Sequence, residues 1–254
     1  SKRKLLARSG DFPIEVLYLR DDDIPQAVSM GVADIGIVGL NEVEEKGYPV
    51  EVIHQLGFGD CRLSLAIPKG ETYLSTDWFE GKRIATSYPR ILAGYFESKG
   101  ISAEIHEIAG SVEIAPSVGM ADAIFDIVSS GSTLVKNGLT EVEKVMDSQA
   151  VLIANNNLEQ EKQRIISQML FRFEAIERSR GMKYVLMNLP CDMVSQAAEI
   201  LPGMKSPTIL PLQQDGWCPM HVVINESELW DRIEALKNIR ADDILVPPME
   251  KMLL

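Results

Sequence analysis

The stretch Ala121-Asp122-Ala123-Ile124-Phe125-Asp126-Ile127-Val128-Ser129-Ser130-Gly131-Ser132-Thr133-Leu134 is the most informative for chemistry in this sequence. Its apolar run reads as a buried strand that delivers an acid, Asp126, near its carboxyl end; a Ser-Gly-Ser-Thr loop follows at once. Such a loop offers backbone N–H groups and hydroxyls to an anion. Gly131 lets the chain come close to a ligand, so the loop suits a phosphate monoester. A carboxylate beside it is placed to accept hydrogen bonds from two ribose hydroxyls. Phosphate acceptor next to diol acceptor describes ribose 5-phosphate. The same pattern also fits a strand, a turn and a helix cap with no ligand.

The elements around this stretch read as two α/β lobes in tandem. In the first, a strand is expected at 14–19. A helix follows, capped by Asp22 or Asp23, with Pro25 in its first turn and an end near Met30. Further strands are expected at 34–38, 50–56 and 62–68. The polar stretch 69–81 is the expected crossing, after which the pattern restarts. Strands at 83–86, 103–108, 121–128 and 150–154 alternate with helical stretches at 89–99, 112–118 and near 140–146. The lobes are thus 1–73, with 155–181 returning to it, and 74–154. They form a hinged pair of the periplasmic-binding-protein kind, with a cleft of the sort that takes small ligands. The helix at 159–180 carries an apolar stripe of Ile165, Ile166, Met169, Leu170, Phe173 and Ile176, which is core packing. The last unit, 182–254, runs β-α-β-β-α-β, the ferredoxin-like order often used to sense small ligands. Asn225 and Glu228 make a capping-box-like start for its second helix.

Composition narrows the function classes. Of 254 residues, 46% are hydrophobic and 24% charged, the balance of a soluble globular protein. No apolar run approaches the roughly 20 residues that span a bilayer, and no secretion signal opens the sequence. A cytoplasmic protein is expected, with no membrane partner. The net charge of −12 and the absence of a basic run argue against nucleic acid. A small anionic substrate remains compatible, because backbone amides, a few cations and a metal ion reverse the field locally. Cys61, Cys191 and Cys218 are odd in number and share no ligand-like spacing, so free thiols are expected rather than a disulfide or a zinc site. His54, His106 and His221 lie far apart and read as ordinary packed or surface residues.

Several separated motifs resemble the ATP phosphoribosyltransferase family in its long, feedback-regulated form. Glu113, Gly119, Ala121, Ile124, Asp126, Ile127, Ser130, Gly131, Thr133 and Leu134 match that family's signature position for position. So do Arg20-Asp21-Asp22-Asp23-Ile24-Pro25, Gly57-Phe58-Gly59 with Cys61-Arg62-Leu63, and Arg83-Ile84-Ala85-Thr86-Ser87-Tyr88-Pro89. Leu201-Pro202-Gly203 with Ser206-Pro207-Thr208, and Glu250-Lys251-Met252, resemble its regulatory domain. The likeness covers essentially the whole chain.

The resemblance implies an enzyme that joins ATP to phosphoribosyl pyrophosphate (PRPP), releasing pyrophosphate, at the entrance to histidine biosynthesis. It implies that Ser129, Ser130, Gly131, Ser132, Thr133 and Leu134 bind PRPP, with Asp126 on the ribose and Glu113 lining the same cleft as the second catalytic candidate. Arg20, Asp22 and Tyr88 are the candidate ATP contacts. A solvated helix cap is the other reading of the three aspartates, and interlobe packing that of Tyr88. Magnesium is the implied cofactor, carried on the pyrophosphate, with no side-chain metal site expected. Histidine is the implied inhibitor, with Asn188, Thr208 and Val223 as candidate contacts; ordinary sheet packing is the alternative for each. A homohexamer in equilibrium with dimers is also implied.

Two departures stand out. The family begins with a strand and a Lys-Gly-Arg-type loop ahead of the point where this sequence opens, and that loop is expected to bring cations to the cleft. Pro247-Pro248-Met249 stands where a more apolar run is usual, with a local effect expected. The rival readings are a two-lobed solute-binding module without catalysis and a catalytically silent regulatory paralogue.

Overall fold

In a computed structural model describing residues 5–203, 207–210, 212 and 215–253, the chain divides into two units, residues 1–165 and 166–254. Ser206 of the regulatory motif lies outside the described residues.

The first unit opens with a two-stranded hairpin, β1 (Leu6–Arg8) and β2 (Glu15–Leu17). Asp21–Asp23 then form a 3-10 turn leading into α1 (Ile24–Ser29). The expected aspartate cap is not made. Asp23 holds the N-cap position with helical backbone angles, and no side-chain oxygen bonds the helix amides. Pro25 fits the first turn because its missing N–H is not needed there. β3 (Ile35–Gly39) follows, then α2 (Leu40–Lys46) and β4 (Val50–Gln55). Gly36 allows α1 to lie on β3; a Cβ there would sit 2.5 Å from the Ile24 side chain.

β5 (Cys61–Pro68) belongs to a second, larger sheet. That sheet continues with β6 (Arg83–Thr86), α3 (Pro89–Lys99), β7 (Glu104–Glu107), β8 (Ala123–Val128), α4 (Ser132–Lys136) and β9 (Leu139–Ser148). Its order is β7-β6-β8-β5-β9, with β6 parallel to β7 and β8, and β5 antiparallel to β8 and β9. β10 (Ala150–Asn155) returns to the first sheet, pairing between β3 and β4. The chain therefore crosses between sheets at 56–60 and at 149, not at the polar stretch 69–81. Sheet membership is set by backbone pairing with distant strands, which local polarity does not report.

The helix expected near 140–146 is the strand β9. Val142 and Val145 are three apart, a helical spacing. Two register shifts in the β5–β9 ladder, at Leu63/Ser64 and Leu65/Ala66, break the alternation that would have marked a strand. Likewise, only Val112–Ile114 of the helical stretch expected at 112–118 is helical, as a 3-10 turn.

α5 (Gln160–Ser179) begins in the first unit and continues in the second. Residues 166–181, expected with the first lobe, group with the C-terminal unit. The expected stripe is only partly covered: Ile166 and Met169 are buried, while Ile176 is exposed.

The second unit then runs β11 (Met182–Pro190), α6 (Val194–Ile200), β12 (Thr208–Ile209), β13 (Trp217–Asn225), α7 (Glu226–Asn238) and β14 (Asp242–Leu245). The sheet order β12-β13-β11-β14 is that of the ferredoxin-like unit, as expected. Asn225 caps α7 by accepting from the Ser227 amide at 3.0 Å. Val185, Met187 and Leu189 of β11 join Met220, Val222 and Ile224 of β13 in a core closed by Ala197, Leu229 and Leu236 of the helices.

Cys191 and Cys218 form a disulfide, with Cα atoms 5.2 Å apart. This corrects the expectation of free thiols, which holds only for Cys61. The β11–β13 register sets Leu189 opposite Cys218 and Pro190 opposite Trp217, so the next residue, Cys191, arrives beside Cys218. A separation of 27 residues in sequence carries no trace of that pairing.

Candidate active site

β8 lies inside the larger sheet, between β6 and β5, and Ala123, Ile124 and Phe125 are fully buried. Asp126 follows as a half-buried acid whose Oδ1 accepts from the Ile127 amide at 2.8 Å. Burial pushes its pKa up, the Ile127 amide opposes this, and the Glu113 charge adds to the rise. The structure thus sets the two catalytic candidates within electrostatic reach of each other. Glu113 sits in the 3-10 turn, whose approach has two successive residues with positive φ, Gly110 at 88° and Ser111 at 53°. A non-glycine residue held in the left-handed region is uncommon, and such strain gathers at functional sites.

The candidate phosphate loop leaves β8 and turns into α4 at Gly131, whose φ of +74° is glycine territory. The Ser130 and Ser132 hydroxyls lie 3.1 Å apart, and the Ser132 amide donates to the Ser130 oxygen at 3.4 Å. The first-turn amides of α4, from Ser132 to Leu134, have no acceptor inside the helix. Leu134 is only 6% exposed, packed in a core cluster, so a backbone N–H is what it has to offer a ligand.

Arg62 holds this loop from behind. Its Nη1 donates to the Ser129 carbonyl at 3.2 Å, while Nε and Nη2 each meet a Glu141 oxygen at 2.5 Å. Ser64 also donates to Glu141, at 2.8 Å, and the Arg62 guanidinium is the main cause that holds the Glu141 carboxyl below its usual range. If the loop binds PRPP as the resemblance implies, Arg62→Met should free it and raise the KM for PRPP by about 10-fold, with a smaller change in kcat. Initial rates at saturating ATP check this.

Tyr88, at the N-terminal end of α3, is 8% exposed and packs in the core cluster of the larger sheet. Its hydroxyl donates to Glu42 Oε1 at 3.1 Å and accepts from Asn41 Nδ2 at 3.2 Å. Burial and the Glu42 charge raise the Tyr88 pKa, and Asp126 contributes to the same rise. Glu42 is raised chiefly by burial, and Asp21 and Asp22 add to the effect. Glu42, Tyr88 and Asp126 are thus three neighbouring groups whose charged forms the surroundings disfavour. Arg20 is exposed and forms an ion pair with Asp22, Nε to Oδ1 at 3.3 Å. Asn41 and Glu42 escape sequence reasoning because α2 carries too few apolar residues to announce itself, and the role of Arg62 escapes it because Glu141 lies 79 residues away.

In the second unit, Asn188, Thr208 and Val223 share the sheet face opposite the helices. Register shows it: Val223 pairs with Tyr184 and Thr208 with His221, while Asn188 is an even-numbered neighbour of Tyr184 on β11. Asn188 donates to Asp243 at 3.0 Å, and Tyr184 bonds His221 on that same face.

The family model described as "HisG: ATP phosphoribosyltransferase" matches residues 20–175, and the one described as "HisG, C-terminal domain" matches 179–251. The ATP phosphoribosyltransferase of Parabacteroides distasonis is 59% identical over 253 residues, covering 100% of this chain and 89% of that protein. The chain belongs to the ATP phosphoribosyltransferase family. That of Cytophaga hutchinsonii is 49% identical over 242 residues, covering 95% of this chain and 85% of that protein. A chain of the solved ATP phosphoribosyl transferase (HisG:HisZ) complex from Thermotoga maritima is 30% identical. It superposes with a TM-score of 0.60, covering 68% of this chain and 84% of its own length.

Membership in the ATP phosphoribosyltransferase family makes the chain a transferase of the first step of histidine biosynthesis. The solute-binding reading is not favoured. Within the described residues no helix is long and apolar enough to cross a membrane.

Proposed function

We propose that the chain transfers the phosphoribosyl group of PRPP to N1 of the ATP adenine ring, with Asp126 and the Ser129–Leu134 loop holding the sugar phosphate. The observation that carries this reading is a half-buried carboxylate near the carboxyl end of β8, five residues before a left-handed glycine that opens a helix. The loop amides and the Ser130, Ser132 and Thr133 hydroxyls suit the 5-phosphate. Asp126 suits the ribose diol.

In the reaction, the C1–O bond to pyrophosphate breaks as N1 attacks C1. Positive charge builds on the ribose ring. Asp126, already held out of water, stabilises that charge without reorganising, which is the source of its effect. The adenine, now bonded to C1 through N1, is cationic and sheds a proton from its exocyclic amine. Glu113, whose charge adds to the rise in the Asp126 pKa, is the proposed acceptor of that proton.

Magnesium is the proposed cofactor, carried on the pyrophosphate of PRPP and not on a side-chain site; when bound it would neutralise charge on the leaving group. Arg20, Asp22 and Tyr88 remain the proposed ATP contacts.

Histidine is the proposed inhibitor, bound on the open sheet face that carries Asn188, Thr208 and Val223, with the chain working in the cytoplasm. A homohexamer exchanging with dimers would supply the two assembled states that inhibition of this kind requires.

Pyrophosphate release by the full-length protein tests the reading. Release that needs both ATP and PRPP is expected. A full-length protein that binds PRPP and yet releases none is a regulatory paralogue, and the proposal fails.

A further inference from the structure

We propose that Asn41, Glu42 and Glu45 of α2 are positioning residues for the transfer, fixing the spacing between the first sheet and the sheet that carries Asp126. The inference rests on the proposed placement of the two substrates, PRPP on the larger sheet and ATP partly on the first.

α2 leaves β3 of the first sheet directly, and α3 belongs to the larger one. The two helices meet end to end in a reciprocal way. Glu45 of α2 caps α3, its Oε1 and Oε2 accepting from the Arg90 and Ile91 amides at 2.9 and 3.0 Å. No side chain of α3's own N-cap residue, Tyr88, makes that bond. In return the Arg90 guanidinium lies over Gly47, at the C-terminal end of α2, where a Cβ would fall 1.4 Å from its Nη1. A carboxylate at one helix start and a guanidinium at the other helix end each favour the local dipole.

Beside this pair, Asn41 and Glu42 grip the Tyr88 hydroxyl. Asn41 and Glu42 are only 5% and 8% exposed. Asn41 also reaches the return crossing. Its amide donates to Ser148 Oγ at 3.0 Å, and Ser148 donates to Asn41 Oδ1 at 2.8 Å, while the Leu40 amide donates to the Gln149 carbonyl at 2.9 Å. One short helix thus holds the neighbouring lobe at α3, at Tyr88 and at the strand junction through which the chain returns.

A role in stability alone accounts poorly for Glu42. Burial raises its pKa, so keeping it charged opposes folding, and an apolar side chain would pack there without that cost. Its value lies in direction: a carboxylate oxygen fixes where the Tyr88 hydroxyl points. A displacement of about 1 Å between reacting groups costs up to about 100-fold in rate, so a clamp of this kind acts on turnover.

The test uses Glu42→Ala, Glu45→Ala and Glu42→Gln in the full-length protein, with kcat, the affinity for PRPP alone by titration calorimetry, and thermal unfolding. The alanine variants should lose between about 10- and 100-fold in kcat with PRPP affinity unchanged. Glu42→Gln keeps an acceptor for Tyr88 and should recover most of the loss. Glu45 is only half-buried, so its variant keeps the test open where Glu42→Ala fails to fold. Unchanged kcat in the alanine variants overturns the inference. So does a loss of PRPP affinity as large as the loss of kcat, or a glutamine variant no better than alanine. Normal turnover in Asp126→Asn would instead remove the underlying site, whatever the α2 variants do.

Discussion

Asp126→Asn is expected to lower kcat by about 100- to 1000-fold while the protein becomes more resistant to heat, not less. The two effects share a cause. Burial raises the Asp126 pKa, so folding disfavours its ionised form. A carboxyl group raised in this way supports the fold below its unfolded pKa and loses that support as pH rises through the folded value. At neutral pH the wild-type protein bears the full cost of a desolvated charge. Asparagine has nearly the same shape, keeps an oxygen for the Ile127 amide, and carries no charge. The gain in Tm should be largest at neutral pH and vanish below about pH 4, where aspartate in the unfolded chain is itself protonated. Parallel melting curves and pyrophosphate-release rates across pH check both halves. A variant that loses activity and melts earlier would point to an ordinary folding defect.

Gly131→Ala is expected to raise the KM for PRPP by about 10- to 100-fold. At φ +74° a β-carbon costs about 1–2 kcal/mol, which the loop relieves by turning its amides away from the phosphate. Crowding is not the reason, since the nearest atom to the added carbon would be Val128 Cγ1 at an ordinary 3.9 Å. Gly100→Ala supplies the control. Gly100 has nearly the same φ, +72°, with nothing within 4 Å of the added carbon, and it ends α3. It should melt earlier by a similar margin with the KM for PRPP unchanged. Equal KM values in the two variants would mean that Gly131 serves the backbone and not the ligand.

What can be read along the chain is what neighbours in sequence decide. The acid, loop and helix start at 126–134 were legible because an apolar run, a glycine and hydroxyl residues stand side by side, and the fold uses them in that order. The ferredoxin-like unit was legible for the same reason: each of its strands and helices has its own period, and Asn225 caps α7 within two residues. Family motifs added the chemistry.

Tertiary structure alone decided the rest. β9 reads as a helix until its bulged pairing with β5 is known, and the crossing between sheets follows from strands that pair across the chain. The disulfide needs the β11–β13 register to bring Cys191 to Cys218. Asn41 finds Ser148 over a separation of 107 residues, and Glu42 finds Tyr88 over 46. Hydrogen bonds and pairings of that range depend on distances in space, and spacing along the sequence does not encode those distances.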